Sequence, residues 1–163
     1  MIPKKEALAR FEAACRAGGL SVTHQRLAVY ETLLSSRSHP GAEEIFRAVK
    51  QRFPTISRGT VYRTLDTLCG MGLVTDVHRT ADTARFEAAI EPHHHLVCLG
   101  CRTIVDMHDE SLRKVPARAG HEAKSAGFEV TGYQIQFVGY CRDCRKTVRS
   151  RPQKMEEQHG QRA

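Results

Sequence analysis

Through the first half of the chain, apolar residues recur at three- and four-residue spacing, the period of helices with one buried side. Leu8, Phe11 and Cys15 predict a helix over 4–18, ended by Gly18-Gly19. Thr23 is placed to cap a second helix in which Leu27, Tyr30 and Leu34 share a side, and Ser38-His39-Pro40-Gly41 breaks it. A third helix reaches about Phe53, with Ala42, Ile45, Phe46, Val49 and Phe53 as its inward stripe. Pro54 interrupts, and Ser57 can cap a fourth helix over 58–71, in which Val61, Leu65, Leu68 and Gly72 occupy one narrow arc. Arg63, Asp66 and Thr67 then face outward, with Arg58, Thr60 and Tyr62 beside them in the first turns.

Two short stretches, 73–79 and 83–87, follow as strands around a polar turn. Helices followed by such a hairpin predict a winged helix-turn-helix over residues 1–84. The outward side of the fourth helix suits that assignment. Arg58 and Arg63 can fork onto guanine, Tyr62 and Thr60 can reach phosphate or a thymine methyl, and a helix N-terminus attracts phosphate.

After Pro92 the chain changes character. Residues 95–98 and 102–107 read as strands, 109–126 as a helix, and 128–140 as a long strand carrying Phe128, Val130, Ile135, Phe137 and Val138. From Arg142 onward the chain reads as a basic, polar tail. The whole is α+β. The expected division is 1–84, a hinge at 85–91, a metal-binding α/β domain at 92–146, and a basic tail at 147–163.

The metal expectation rests on His93-His94-His95-Leu96-Val97-Cys98-Leu99-Gly100-Cys101. Cys141 and Cys144 repeat the two-residue gap of Cys98 and Cys101, and two such knuckles can surround one tetrahedral zinc. The histidines then belong to a second site beside it. His93 and His95 share a face if their segment is a strand, and His94 points the other way. A domain with so small a core needs a staple of this kind.

Charge points to a partner. The chain of 163 residues carries a formal +7, and residues 1–80 hold 12 Lys/Arg against 7 Asp/Glu, so most of the excess sits in the helical half. Nucleic acid is the natural polyanion. No segment suits a membrane span, and six cysteines without a leader-like segment lead us to expect a reducing, cytoplasmic setting where thiols hold metal.

The winged helix, Ser57-Arg58-Gly59-Thr60-Val61-Tyr62-Arg63-Thr64-Leu65, the His93-x-His95-x-x-Cys98-x-x-Cys101 run and the distal Cys141-x-x-Cys144 together resemble the ferric uptake regulator (Fur) family of metal-responsive transcription factors, over residues 8 to 146. The resemblance implies a homodimer on a palindromic double-stranded DNA operator, with residues 92–146 as the dimerisation domain. It implies a structural Zn2+ on Cys98, Cys101, Cys141 and Cys144, and a regulatory Fe2+ or Mn2+ between the domains. By the same likeness His39, Glu87, His93, His95 and Asp106 hold the regulatory ion. Their mixed nitrogen and oxygen set suits those metals.

Asp106 stands where iron and zinc sensors of the family usually carry Glu, which matches the peroxide-sensor branch (PerR). Glu87, where that branch usually carries Asp, departs from it. Pro92, Arg113 and Tyr133 replace the ligands of a further site found in some members, so one regulatory site is expected. The implied activity is repression relieved when Fe(II)-bound His39 or His93 is oxidised by peroxide. An iron-responsive uptake repressor is the alternative, and a zinc-responsive repressor a more distant one. Outside the family, the same histidines and carboxylates could serve a metalloenzyme, although no general-base motif accompanies them. A zinc-stapled RNA-binding module is the remaining class.

Overall fold

The computed structural model of the chain describes residues 3–36, 38–79, 84–88, 93–114, 123–129 and 135–149. They fall into two compact units, Met1–Pro92 and His93–Ala163.

The first unit contains α1 (Lys4–Ala17), α2 (His24–Ser35), α3 (Ala42–Arg52), α4 (Arg58–Gly70) and the antiparallel strands β1 (Val74–Arg79) and β2 (Ala84–Ala88). Helix starts follow local chemistry. The Thr23 hydroxyl accepts the Arg26 N–H at 3.2 Å, and the Ser57 hydroxyl accepts the Thr60 N–H at 3.1 Å. At α3, which starts after a glycine, the Glu44 carboxylate reaches back to the Gly41 N–H at 2.7 Å. The same carboxylate accepts from Arg85 of β2 at 2.6 Å, which ties the hairpin to the third helix.

One apolar cluster joins these elements, with Phe11 of α1, Val29 and Leu33 of α2, Ile45 and Val49 of α3, Val61, Leu65 and Leu68 of α4, and Phe86 of β2. Phe11 stacks on Tyr30 at 5.1 Å. The expected stripe of α2 shifts by a position: Tyr30 is buried, but Ala28, Val29 and Leu33 are its other inward residues, with Leu27 and Leu34 only half-buried. Apolar residues sit almost all round the end of this helix, so spacing alone does not choose the face.

The second unit is built on a three-stranded sheet in the order β4-β3-β5, from β3 (His94–Cys98), β4 (Ile104–Met107) and β5 (Gln136–Gly139). β3 runs antiparallel to β4 and parallel to β5. A 3-10 turn spans Glu110–Lys114, and α5 covers Arg142–Arg149.

Four expectations are corrected here. Arg102 has φ 59° and belongs to the turn of the first knuckle, so β4 starts only at Ile104. Of the long strand expected over 128–140, Gln136–Gly139 is a strand paired with β3, while 128–129, 135 and 140 are not strand and 130–134 lie outside the described residues. Residues 142–149 are helical rather than a loose tail, and the Arg145 N–H closes the first turn on the Cys141 carbonyl at 2.9 Å. The helix expected over 109–126 is a 3-10 turn at its start and a single helical turn at 123–125, with 115–122 outside the described residues. Among the described residues no helix is long and apolar enough to cross a membrane.

Candidate functional site

The four knuckle cysteines converge. Cys98 ends β3, Cys101 sits in the turn to β4, Cys141 follows β5 and Cys144 lies in the first turn of α5. Their sulfurs all lie within 4.8 Å of one another, with Cys101 and Cys141 3.8 Å apart. A tetrahedron of Zn–S bonds of about 2.3 Å has edges of about 3.8 Å, so the cage has the size zinc requires. Gly100 makes this approach possible, since a Cβ there would stand 2.7 Å from the Cys144 sulfur.

The protonation pattern fits a cage suited to a dication. Amide N–H groups of Cys141, Cys101 and Gly100 hold the Cys98 thiol down to about 6, the Cys141 N–H lying 3.3 Å from its sulfur. Cys101 is lowered by its hydrogen bond to the Thr103 hydroxyl. Cys144 is pushed up to about 12 by sharing its proton with Cys141 and by burial. Like charges do not accumulate on four crowded sulfurs unless a cation neutralises them, and binding then releases the remaining protons.

The expected regulatory ligands fall into two groups, one in each unit. In the first unit, His39 Nε2 lies 3.1 Å from Glu87 Oε2. The backbone arranges this contact: Phe86 N–H donates to the Pro40 carbonyl and Gly41 bridges to Arg85, so the segment before α3 runs along β2. His39 itself adopts φ 49°, a left-handed conformation uncommon for a side-chain-bearing residue and further disfavoured before proline. Strain of this kind costs roughly 1–3 kcal/mol and persists where the surroundings over-determine it, often at ligand clamps.

In the second unit, His95 pairs directly with Asp106 across β3 and β4. Asp106 Oδ1 stands 3.7 Å from His93 Nε2 and 3.9 Å from His95 Nε2, and the two rings meet edge to face at 4.6 Å. These separations exceed a hydrogen bond, and the three ligand atoms lie within 4.8 Å of one another. His94, on the alternate position, lies opposite Met107 and acts electrostatically on Asp109 instead. His108, two residues from Asp106 and so noticeable from strand alternation, lies tilted at 5.5 Å from His93. Pro92 and Tyr133 lie outside the described residues, as does the side chain of Arg113.

The two faces of this sheet differ in chemistry. One row holds His95, Asp106 and Gln136; the next holds Val105, Leu96 and Phe137 in register. The second row is apolar yet exposed, Val105 to 52%.

On α4 the structure places the four expected DNA-facing residues unequally. Tyr62 and Arg63 are exposed. The Thr60 hydroxyl lies 2.9 Å from Ser57 Oγ, inside the helix cap. Arg58 is gripped at two points by Glu43 of α3 and lies over the Phe46 ring at 4.9 Å, partners that the sequence pattern does not signal.

Comparison with known proteins agrees with this architecture. The model of the "Ferric uptake regulator family" matches residues 17–138. The "Peroxide-responsive repressor PerR" of Staphylococcus epidermidis is 34% identical over 134 residues, covering 82% of this chain and 87% of that protein. The solved Campylobacter jejuni peroxide stress regulator is 26% identical with a TM-score of 0.60, covering 88% of this chain and 100% of that one. The Helicobacter pylori ferric uptake regulator, 24% identical, shares the fold with a TM-score of 0.70 over 88% of this chain and 95% of its own.

Proposed function

Since the chain belongs to the ferric uptake regulator family, we propose that it is a metal-dependent, DNA-binding repressor that responds to peroxide. The observation that carries the reading is the Asp106 carboxylate set 3.7 and 3.9 Å from the His93 and His95 nitrogens. The similarity to proteins named as peroxide-responsive repressors supports it.

In this reading Cys98, Cys101, Cys141 and Cys144 hold a structural Zn2+. His39 and Glu87 from the first unit join His93, His95 and Asp106 from the second around one Fe2+ or Mn2+. The donor chemistry fits those ions: imidazoles and carboxylates without sulfur. Bound iron would supply the electrons that reduce peroxide beside the imidazoles. The residues do the rest. Asp106 and Glu87 orient and balance charge, while His39 and His93 both ligate and accept the oxygen that ends ligation.

The coupling is a population shift. An ion that binds only when the two ligand groups meet favours one arrangement of the units, and a dimer in that arrangement can set its two α4 helices one turn apart on a palindrome. Dimerisation through the Val105–Leu96–Phe137 row would bury the apolar face of the sheet. Arg58, Thr60, Tyr62 and Arg63 supply contacts to the duplex. Oxidation of a ligand removes the ion's preference, and the DNA is released.

The test is mass spectrometry of the Fe(II)- and Mn(II)-loaded protein after brief exposure to low peroxide. One added oxygen atom on His39 or His93, with iron only, is expected. Unmodified histidines together with iron-dependent operator binding would return the chain to an iron-responsive repressor.

A further inference from the structure

We propose that Glu43 sets the DNA affinity of the first unit by competing with DNA phosphate for the Arg58 guanidinium. The inference rests on the reading of α4 as the helix that meets the duplex. Arg58 Nε donates to Glu43 Oε2 at 2.9 Å and its Nη2 donates to Oε1 at 2.9 Å, a forked pair. A phosphate offers the same two anionic oxygens to the same fork. Phe46, one turn beyond Glu43, holds the guanidinium plane at 4.9 Å, so the fork stays in place whichever anion fills it.

Position makes the exchange feasible. Arg58 opens α4 and lies on the side of Tyr62, four residues on, the exposed side expected to face DNA. Both members of the pair are open to solvent, at 65% and 44%, so a phosphate reaches the fork without unfolding anything. An exposed pair is also screened by water and salt, and is weak enough to be displaced. Arg47, one turn along α3, already acts on Glu43 and offers the carboxylate a cation when Arg58 leaves. Arg58 therefore carries a stand-in for its ligand in the DNA-free protein. Binding measures the difference between two anions rather than the full strength of one contact.

The experiment is a double-mutant cycle on the full chain loaded with Zn(II) and Mn(II). Wild type, Glu43→Gln, Arg58→Ala and the double variant are titrated onto a random-sequence duplex over a salt series, with helical circular dichroism confirming that each is folded. Glu43→Gln should tighten binding several-fold when Arg58 is present and by clearly less when position 58 is alanine. In the Glu43→Gln background, Arg58→Ala should lower the slope of log K against log salt by about 0.9, the loss of one phosphate contact. Equal tightening in both backgrounds would mean simple removal of a negative charge and overturn the competition. Weaker binding from Glu43→Gln alone would overturn it too, making the pair a brace between α3 and α4. A wild-type protein that binds no duplex would sink the DNA reading itself, and the competition with it.

Discussion

The first unit buries Phe11, Val29, Ile45, Val49, Val61, Leu65 and Leu68 in one shared cluster, whereas the second, among its described residues, buries only Val97 and Cys98 as apolar side chains. The second unit instead buries His94 and His95 and exposes Leu96, Leu99, Val105, Phe137, Val138 and Tyr140. One unit is held by transfer of apolar area from water; the other commits its interior to ligands and its apolar surface to the outside. A region of that second kind needs a metal to hold it and a partner to cover it.

The sharpest way to break this contrast is Cys98→Ser. Structural zinc contributes roughly 10–16 kcal/mol of apparent binding, against about 5–15 kcal/mol for the stability of a typical domain. The variant should lose its zinc by elemental analysis and lose the fold of the second unit, while the helical melting of the first unit persists. A folded, zinc-free dimer would contradict it. The mirror experiment is Leu65→Ala, which truncates a side chain 1% exposed. It should destabilise the first unit by roughly 2–5 kcal/mol in a denaturant melt and leave zinc content unchanged.

Phe137→Asp probes the apolar row of the sheet. In a monomer, a change at a residue 43% exposed costs little. If a second copy covers the row, sedimentation should show dimerisation weakened on the order of tenfold or more, about 1.4 kcal/mol, with zinc still bound. The smallest effect is in the first unit. Glu31 is held below the usual carboxylate range by Arg52 at 2.8 Å, and then by Lys4 at 3.4 Å. A depressed carboxylate contributes stability above its unfolded value and loses it as pH falls through the folded one. Glu31→Gln should therefore cost roughly 0.2–1 kcal/mol near neutrality. The difference from wild type should disappear once the pH falls below the folded pKa of Glu31.

The same contrast explains what was legible in advance. The four helices of the first unit follow from apolar spacing and from Thr23 and Ser57 as caps, because both are local effects. Cys98, Cys101, Cys141 and Cys144 could be grouped from spacing alone, since two-residue gaps chelate through neighbouring sulfurs. α5 escaped local reading because it starts where Cys141 is anchored, its first turn closing on the Cys141 carbonyl. The grip of Glu43 on Arg58 joins residues on separate helices, and nothing in either local pattern encodes that meeting.

By itself, then, the sequence determined the helical period, the caps and the thiol knuckles, all properties of residues a few positions apart, while the donors of the second site, from His39 to Asp106, were implied by the family resemblance. Tertiary structure decided which side of α2 faces inward, how His39 is bent into a left-handed turn to meet Glu87, and how one Asp106 oxygen comes to stand near two imidazoles. It also left an apolar row exposed behind the histidines. Those outcomes depend on the packing of segments distant in the chain, where the free energy lies in the contact and not in either residue alone.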